Sequence, residues 1–467
     1  MKTMKPMRIA IPLLLAWLVS FRPATAATEL LRDPKLVTPD GQALANSWKP
    51  WQAEWEAARL SLEPTPAGVR FRAANAPFAI GGMAQTVTGV RGGQAYAVSA
   101  QCQLSGVDAP YPTVLVRVEW LKDGRAMHPA GMLVRGPRVA GQEARFEDVL
   151  IAPVGADSAR VSLETKWPRG GSVLWKQASL LPTDTPKPRK AKIGTVYLRP
   201  RDSTPQQNLN LWIEQVDAAG KLGLDIVCLS ESILTVGTQA KISEVAESVP
   251  GPVTKRLGEA AQRNRLWVVA GLMERDGNHL FNTAVLLDRQ GKLAGKYRKV
   301  HLPREEWQKG IEPGSEYPVF QTDFGAVAIQ ICYDYFFAET AEILALRGAE
   351  IVFAPTWGTT FEDKEGRAEG QSIFRVRARD NGIYLVPSVY DGDSMVIDPL
   401  GRILASSKGQ TGVFWAEIDL NQREPLWWVG HWRSIAPCDR RPDTYTPLLH
   451  NEYQAPSIPQ ITDKPNP

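Results

Sequence analysis

The sequence predicts an α/β layered domain preceded by an all-β sandwich, and three observations carry that division. From Lys192 onward, apolar runs of strand length alternate with segments of helical period, the pattern of a layered α/β unit. Before it, residues 28–182 hold short apolar runs between Gly, Pro and Asp turns, with period-two alternation in Val114-Leu-Val-Arg-Val118. Between the two, residues 183–191 continue a stretch rich in proline and charge, as a solvated linker should be. At 467 residues the chain is too long for one ordinary core, so two or three domains are expected.

The first 26 residues read as a segment outside the fold. Lys2, Lys5 and Arg8 are positive, Ile9 to Phe21 is apolar, and Ala24-Thr25-Ala26 offers small residues for cleavage. This is the anatomy of a signal peptide, so the mature chain is expected to start at Ala27 and to be exported, periplasmic or secreted. The apolar stretch is short for a membrane span and is interrupted by Pro12, and no later stretch is long and apolar enough to cross a bilayer.

In residues 28–182 strands are expected near Gly68–Arg72, Gln94–Ala100, Thr113–Trp120, Ala159–Glu164 and Gly171–Trp175. The closing Gly-Gly-Ser-Val-Leu-Trp strand, and Val116-Arg-Val-Glu-Trp120 followed by Asp123-Gly124, resemble carbohydrate-binding modules of the jelly-roll kind. That resemblance implies a glycan as a partner of this domain, although a sandwich does not by itself imply sugar binding.

The layered domain, residues 192–440, opens with a strand over Ile193–Leu198. Leu209, Trp212, Ile213, Val216 and Ala219 then fall on one helical face. Strands follow at Ile226, at Leu266–Gly271 and at Thr283–Leu287, the last turning at Asp288–Gly291 into Leu293–Tyr297. A helix over Thr340–Arg347 stops at Gly348, a strand over Glu350–Ala354 leads to Pro355-Thr-Trp357, and a helix carrying Ile373, Phe374 and Ala378 stops at Asn381-Gly382. Ile383–Val386 and Met395–Ile397 close the sheet, and residues 441–467 are expected to be an extended tail.

Hydrophobic and charged contents of 43% and 22% fit a globular protein, and a net charge of +4 over this length forms no run that would favour nucleic acid or anionic membrane. Four cysteines are too few for a disulfide scaffold in an exported chain of this length. Cys228 reads as a small buried hydrophobe. The five histidines lack metal-ligand spacing and paired cysteines are absent, so neither metal nor other cofactor is expected.

Three apolar strands finish on ionisable groups. Asp225-Ile-Val-Cys-Leu-Ser-Glu231 presents a carboxylate, Lys296-Tyr-Arg-Lys-Val-His-Leu302 an ammonium, and Gly325-Ala-Val-Ala-Ile-Gln-Ile-Cys-Tyr-Asp334 a thiol. Ligand crevices form at the carboxyl ends of strands in open α/β sheets. A carboxylate, a cation and a thiol meeting there would make an activated nucleophile: Glu231 to take the proton of Cys332, Lys299 to favour thiolate. Taken singly, each residue has a plainer reading: a buried structural thiol, an exposed lysine, a glutamate at a helix start. His301 shares a strand face with Lys299 on the period-two reading and so offers a Cys–His pair as an alternative. Trp357 can wall a pocket or be core, and Trp427, Trp428 and Trp432 are expected to pack.

These strings resemble the nitrilase superfamily of carbon–nitrogen hydrolases over roughly residues 192–425. Leu229-Ser-Glu231, Tyr297-Arg-Lys-Val-His-Leu302 and Ile331-Cys-Tyr-Asp334 stand in the order of the family's base, lysine and nucleophile motifs. Glu312–Phe320, Ala354–Trp357, Arg377–Asn381 and Ser394–Gly401 match its supporting pieces. The resemblance implies an α-β-β-α sandwich, a Glu231–Lys299–Cys332 triad working through a thioester, and an oxyanion held by Lys299 with the Tyr333 N–H. It also implies a second glutamate beside the lysine. Glu305, Glu306 and Glu312 are the candidates, and Glu306, just before Trp307, is favoured. Cys332-Tyr-Asp resembles amidases and N-carbamoyl hydrolases more than nitrilases, which carry Cys-Trp-Glu, so an amide or carbamoyl substrate is expected before a nitrile. A homodimer or larger assembly is implied by the resemblance alone. The competing readings are acyl transfer to an amine and a surface- or glycan-binding protein on an inactive scaffold.

Overall fold

The computed structural model describes residues 28–73, 76–128, 131–358, 369–423 and 430–450. The signal-peptide segment, Trp427, Trp428 and the tail beyond 450 lie outside the described residues.

Residues 49–183 build two six-stranded sheets whose ladders are antiparallel. Each expected strand is present, and three more carry the pattern: Leu60–Thr65, Ile80–Thr88 and Glu143–Ile151. Along Glu143–Ile151 buried and non-buried residues alternate, as a strand with one covered face requires. Val69, Phe71, Tyr96, Trp120, Phe146 and Trp175 belong to one shared core, in which the Trp175 indole donates to Thr165 Oγ1 at 3.1 Å.

The expected linker is shorter than the sequence suggests. The strand Lys190–Tyr197 starts two residues before Lys192 because it pairs antiparallel with Gly412–Asp419 along its whole length, so only residues 184–189 lack regular structure.

Two further six-stranded sheets form the layered domain. In the first the spatial order is Leu293–Arg298, His279–Leu287, Trp267–Asp276, Ile226–Cys228, Lys190–Tyr197, Gly412–Asp419. In the second it is Val319–Gln321, Ala326–Ile329, Ile351–Gly358, Tyr384–Asp391, Met395–Ile397, Ile403–Ser406. Both mix parallel and antiparallel pairs. Ile193, Ile226, Val269 and Leu286 of the first sheet pack with Val327, Ile329, Phe353 and Val386 of the second. The outer face of the first sheet is covered by the helices Pro205–Lys221 and Pro252–Asn264, through Leu209, Trp212, Val216 and Leu257. The outer face of the second is covered by Ala338–Leu346 and Glu369–Asn381, through Leu344, Phe374 and Ala378. With both faces covered, the central parallel strands are apolar throughout, which is why Ile226-Val-Cys and Ile351-Val-Phe-Ala do not alternate. The first helix is fixed by Pro205 in its first turn and by a reciprocal cap between Thr204 and Gln207.

In its described part, residues 441–450, the tail departs from the extended reading. Pro442–Thr444 and Thr446–Leu449 are short helical turns with proline in the opening positions. This segment lies on the β domain: Asp443 pairs with Arg169 at 2.7 Å, the Arg441 guanidinium sits 5.3 Å from the Trp167 ring centroid, and Asp439, which ends the preceding helix Trp432–Asp439, pairs with Lys166 at 2.8 Å.

Candidate active site

Glu231 lies just beyond the strand Ile226–Cys228, where the chain turns sharply. Ser232 has φ +48°, and Gly271 of the next strand lies so close that a Cβ there would stand 2.6 Å from the Glu231 Cα. The turn removes the Glu231 carbonyl from the sheet ladder, and the Tyr390 hydroxyl donates to it at 2.7 Å from the opposite sheet.

Lys299 follows immediately on the strand Leu293–Arg298 and is 1% exposed. The strand ends at Arg298, so the alternation that set His301 on the face of Lys299 does not extend that far. His301 instead turns its ring to Asp334, with Nδ1 2.9 Å from Oδ1, and stacks on Phe337 at 3.9 Å between centroids.

Cys332 opens a 3-10 turn, Cys332–Phe336, rather than ending the strand, which stops at Ile329. Its φ is +42°, a left-handed value that costs a residue with a Cβ about 1–3 kcal/mol and persists only where the surroundings impose it. Asp334 imposes it. Its buried carboxylate accepts from the Ile331 N–H at 2.9 Å, the His301 N–H at 3.0 Å and the Tyr297 hydroxyl at 2.7 Å. Tyr333 is the second residue of that turn, where backbone N–H groups find no acceptor within the turn.

The four polar side chains meet in a closed ring of hydrogen bonds. Lys299 Nζ donates to Glu231 Oε1 and to Glu306 Oε1, both at 3.0 Å. Asn282 Nδ2 donates to the same two oxygens, at 2.6 and 2.8 Å. Glu306, on the short helix Arg304–Trp307, is thus the carboxylate beside the lysine; Glu305 is exposed, and Glu312 pairs with His279 at 2.7 Å. The Oε2 atoms of Glu231 and Glu306 are buried and accept no N–H of the protein, and the Cys332 thiol is within hydrogen-bond reach of the Glu231 carboxyl.

Electrostatics follow from that arrangement. Burial alone would lower the Lys299 ammonium, but Glu231, then Cys332 and Glu306, hold it well above the usual lysine range. Burial first, and the Glu231 charge second, push Glu306 up to about 7. The Cys332 thiol is pushed well above its ordinary value by burial and then by Glu231, with Lys299 opposing. Lys299 favours thiolate, as the sequence reading expects, but burial and the Glu231 carboxylate outweigh that one cation, so the proton has to be drawn off by Glu231.

Trp357 stands beside the thiol, its backbone hydrogen-bonded to Cys332. The residue is 41% exposed, and its ring meets Tyr390 edge-on at 5.4 Å. Cys332 is the one cysteine of the four that is not buried, and Cys228 is fully buried, as read from its apolar run. Among the described residues no group of three or more His, Cys, Asp or Glu is placed to hold a metal ion, and no helix is long and apolar enough to cross a membrane.

Sequence reasoning missed three residues here. Asn282 had a signal, a carboxamide inside the apolar run Phe281-Asn-Thr-Ala-Val285. Asp334 was read only as part of the nucleophile string, and Tyr390 had no signal beyond being an aromatic in a strand.

Residues 192–426 match the family described as Carbon-nitrogen hydrolase. The chain is similar to the omega-amidase NIT2 of Mus musculus, 30% identical over 239 residues that make up 47% of this chain and 86% of the mouse protein. A nitrilase of Pyrococcus abyssi is 32% identical over 244 residues, 49% of this chain and 90% of that protein. A solved structure, Saccharomyces cerevisiae Nit3, a member of branch 10 of the nitrilase superfamily, is 25% identical with a TM-score of 0.45 and covers 49% of this chain and 90% of its own.

Proposed function

The chain belongs to the carbon–nitrogen hydrolase family, and we propose that it hydrolyses a small non-peptide amide or N-carbamoyl compound through a thioester on Cys332. The observation that carries this reading is the Lys299 ammonium, bonded to the buried Glu231 and the partly buried Glu306 beside the half-buried thiol. The names of the relatives, omega-amidase and nitrilase, support an amide-type carbon as the target.

As substrate arrives, Glu231 takes the thiol proton and sulfur bonds to the carbonyl carbon. The C=O electrons move to oxygen. Lys299 has three N–H groups, two of them committed to carboxylates, so one is left for that oxyanion, together with the Tyr333 N–H. Glu231 returns its proton to the nitrogen as the C–N bond breaks and ammonia or an amine leaves. Water then adds to the thioester carbon, giving its proton to Glu231, which passes it to sulfur as the acid departs. A thiol protonated at rest suits this sequence, because its proton is the one delivered to the leaving nitrogen. Glu306 holds Lys299 in place, and Trp357 walls the acyl side.

Three finer readings accompany it. The β domain is a jelly roll that binds a glycan; the protein is exported after removal of residues 1–26; and it assembles as a homodimer or larger. Each rests on resemblance or on the sequence of the segment concerned. Ammonia release across a panel of small amides and carbamoyl amino acids tests the main proposal. Turnover that disappears in Cys332→Ala and in Lys299→Ala supports it. No turnover on the panel, by a protein that binds glycans, favours the binding reading.

A further inference from the structure

The geometry points to Asn282 as a positioning residue that confines the proton traffic of Glu231 to one oxygen, Oε2; this rests on the reading of Glu231 as the base. Asn282 is fully buried in the strand His279–Leu287, between two carboxylates and a lysine. Its backbone carbonyl accepts the Lys299 N–H at 2.9 Å, and its Nδ2 spends both hydrogens on Glu231 Oε1 and Glu306 Oε1. One residue therefore sets the place of all three charged groups.

The consequence is chemical. Each Oε1 already accepts two N–H groups, one from Lys299 and one from Asn282, and a carboxylate oxygen so engaged is a poor place for a further proton. Each Oε2 is buried and accepts no N–H of the protein. A proton taken from the thiol, or from water in the second half-reaction, is left with Oε2 of Glu231. Asn282 also stands where a second cation would otherwise be needed. A buried and a partly buried carboxylate share one lysine, and the carboxamide donates to both without adding charge, which favours their ionised forms. A carboxylate or an apolar side chain at 282 would leave the pair under-solvated.

The test reads the thiol and so needs no knowledge of the substrate. Alkylation of Cys332 by iodoacetamide, followed by peptide mass spectrometry, is measured against pH for the wild type, Glu231→Gln, Asn282→Ala and the isosteric Asn282→Asp, with thermal unfolding run alongside. In Asn282→Ala the carboxylates lose a donor, their affinity for protons rises, and the acidic limb moves up by about one pH unit with about a tenfold slower reaction at neutrality. Asn282→Asp keeps the shape, adds a third carboxylate and moves the limb further the same way. A slower reaction with the limb unmoved in both variants would mark Asn282 as scaffold and overturn the inference, as would a wild-type profile in both. If Glu231→Gln itself leaves the profile unchanged, the base assignment falls and this inference with it. A profile that depends on Glu231 but ignores residue 282 removes the inference alone.

Discussion

The hydroxyl of Tyr390 donates to the backbone carbonyl of Glu231 at 2.7 Å, so a strand of one sheet holds the residue that the other sheet presents. The same ring lies edge-on to Trp357, and both sides of the site thereby depend on one side chain. Tyr390→Phe keeps the ring and removes the tie. It should lower kcat about tenfold, equivalent to ~1.4 kcal/mol, with little change in KM. The accompanying loss of stability should be about 1 kcal/mol, for one buried hydrogen bond. Steady-state kinetics and denaturant unfolding on the same preparation check both numbers.

Asp334 is expected to matter for folding more than for chemistry. Its Oδ2 accepts from Tyr297 and Ile331, and its Oδ1 from both nitrogens of His301 that face it. Asp334→Asn leaves one of those oxygens and turns the other into a donor facing donors, with a cost of about 2 kcal/mol or more. Asp334→Ala strands all the donors and should lower the unfolding midpoint further still. Both variants release the left-handed Cys332, so activity should fall in step with stability.

Glu306 carries the pH dependence. Its carboxyl, pushed up to about 7 by burial and then by Glu231, binds a proton in the folded state that the unfolded chain has released above the usual 4.5. The folded state therefore holds more protons across that window, and stability falls as pH rises through it. Thermal midpoints should fall between about pH 4.5 and about pH 7 in the wild type and fall less in Glu306→Gln. Removing this negative neighbour should also shift the acidic limb of Cys332 alkylation downward, opposite in sign to the changes at Asn282.

Native labelling separates the thiols. Burial pushes all four thiols up, but Cys102, Cys228 and Cys438 are buried residues, whereas Cys332 is half-buried. Iodoacetamide on the folded protein should modify Cys332 alone, and slowly, because its own thiol is held protonated. Labelling of Cys228 or Cys438 at a comparable rate would contradict the packing described.

Much of this was legible in the residues. The division into β and layered domains follows from hydrophobic period, and the positions of Glu231, Lys299 and Cys332, each a little beyond a strand, follow from ionisable residues closing apolar runs. Less legible was whatever depends on contact between the two sheets. Spacing could not choose among Glu305, Glu306 and Glu312, because the choice is made by which side chain the Arg304–Trp307 turn aims at Lys299. Tyr390 is an ordinary strand aromatic until the second sheet brings it to Glu231. His301 was placed by extending a strand beyond Arg298, where Asp334 draws the chain out of the ladder. How far the Cys332 thiol is pushed up is not legible either, because burial, which weighs most in its titration, is not written in the sequence near Cys332.

The central claim is a covalent bond between Cys332 and the acyl half of an amide. Acid quenching of the wild type during turnover of an amide from the panel, followed by peptide mapping, tests it most directly. The account predicts an added mass equal to the substrate less its departing ammonia or amine on the peptide containing Cys332, removable by hydroxylamine. Steady turnover with that peptide unmodified, and retained in Cys332→Ala, would contradict it.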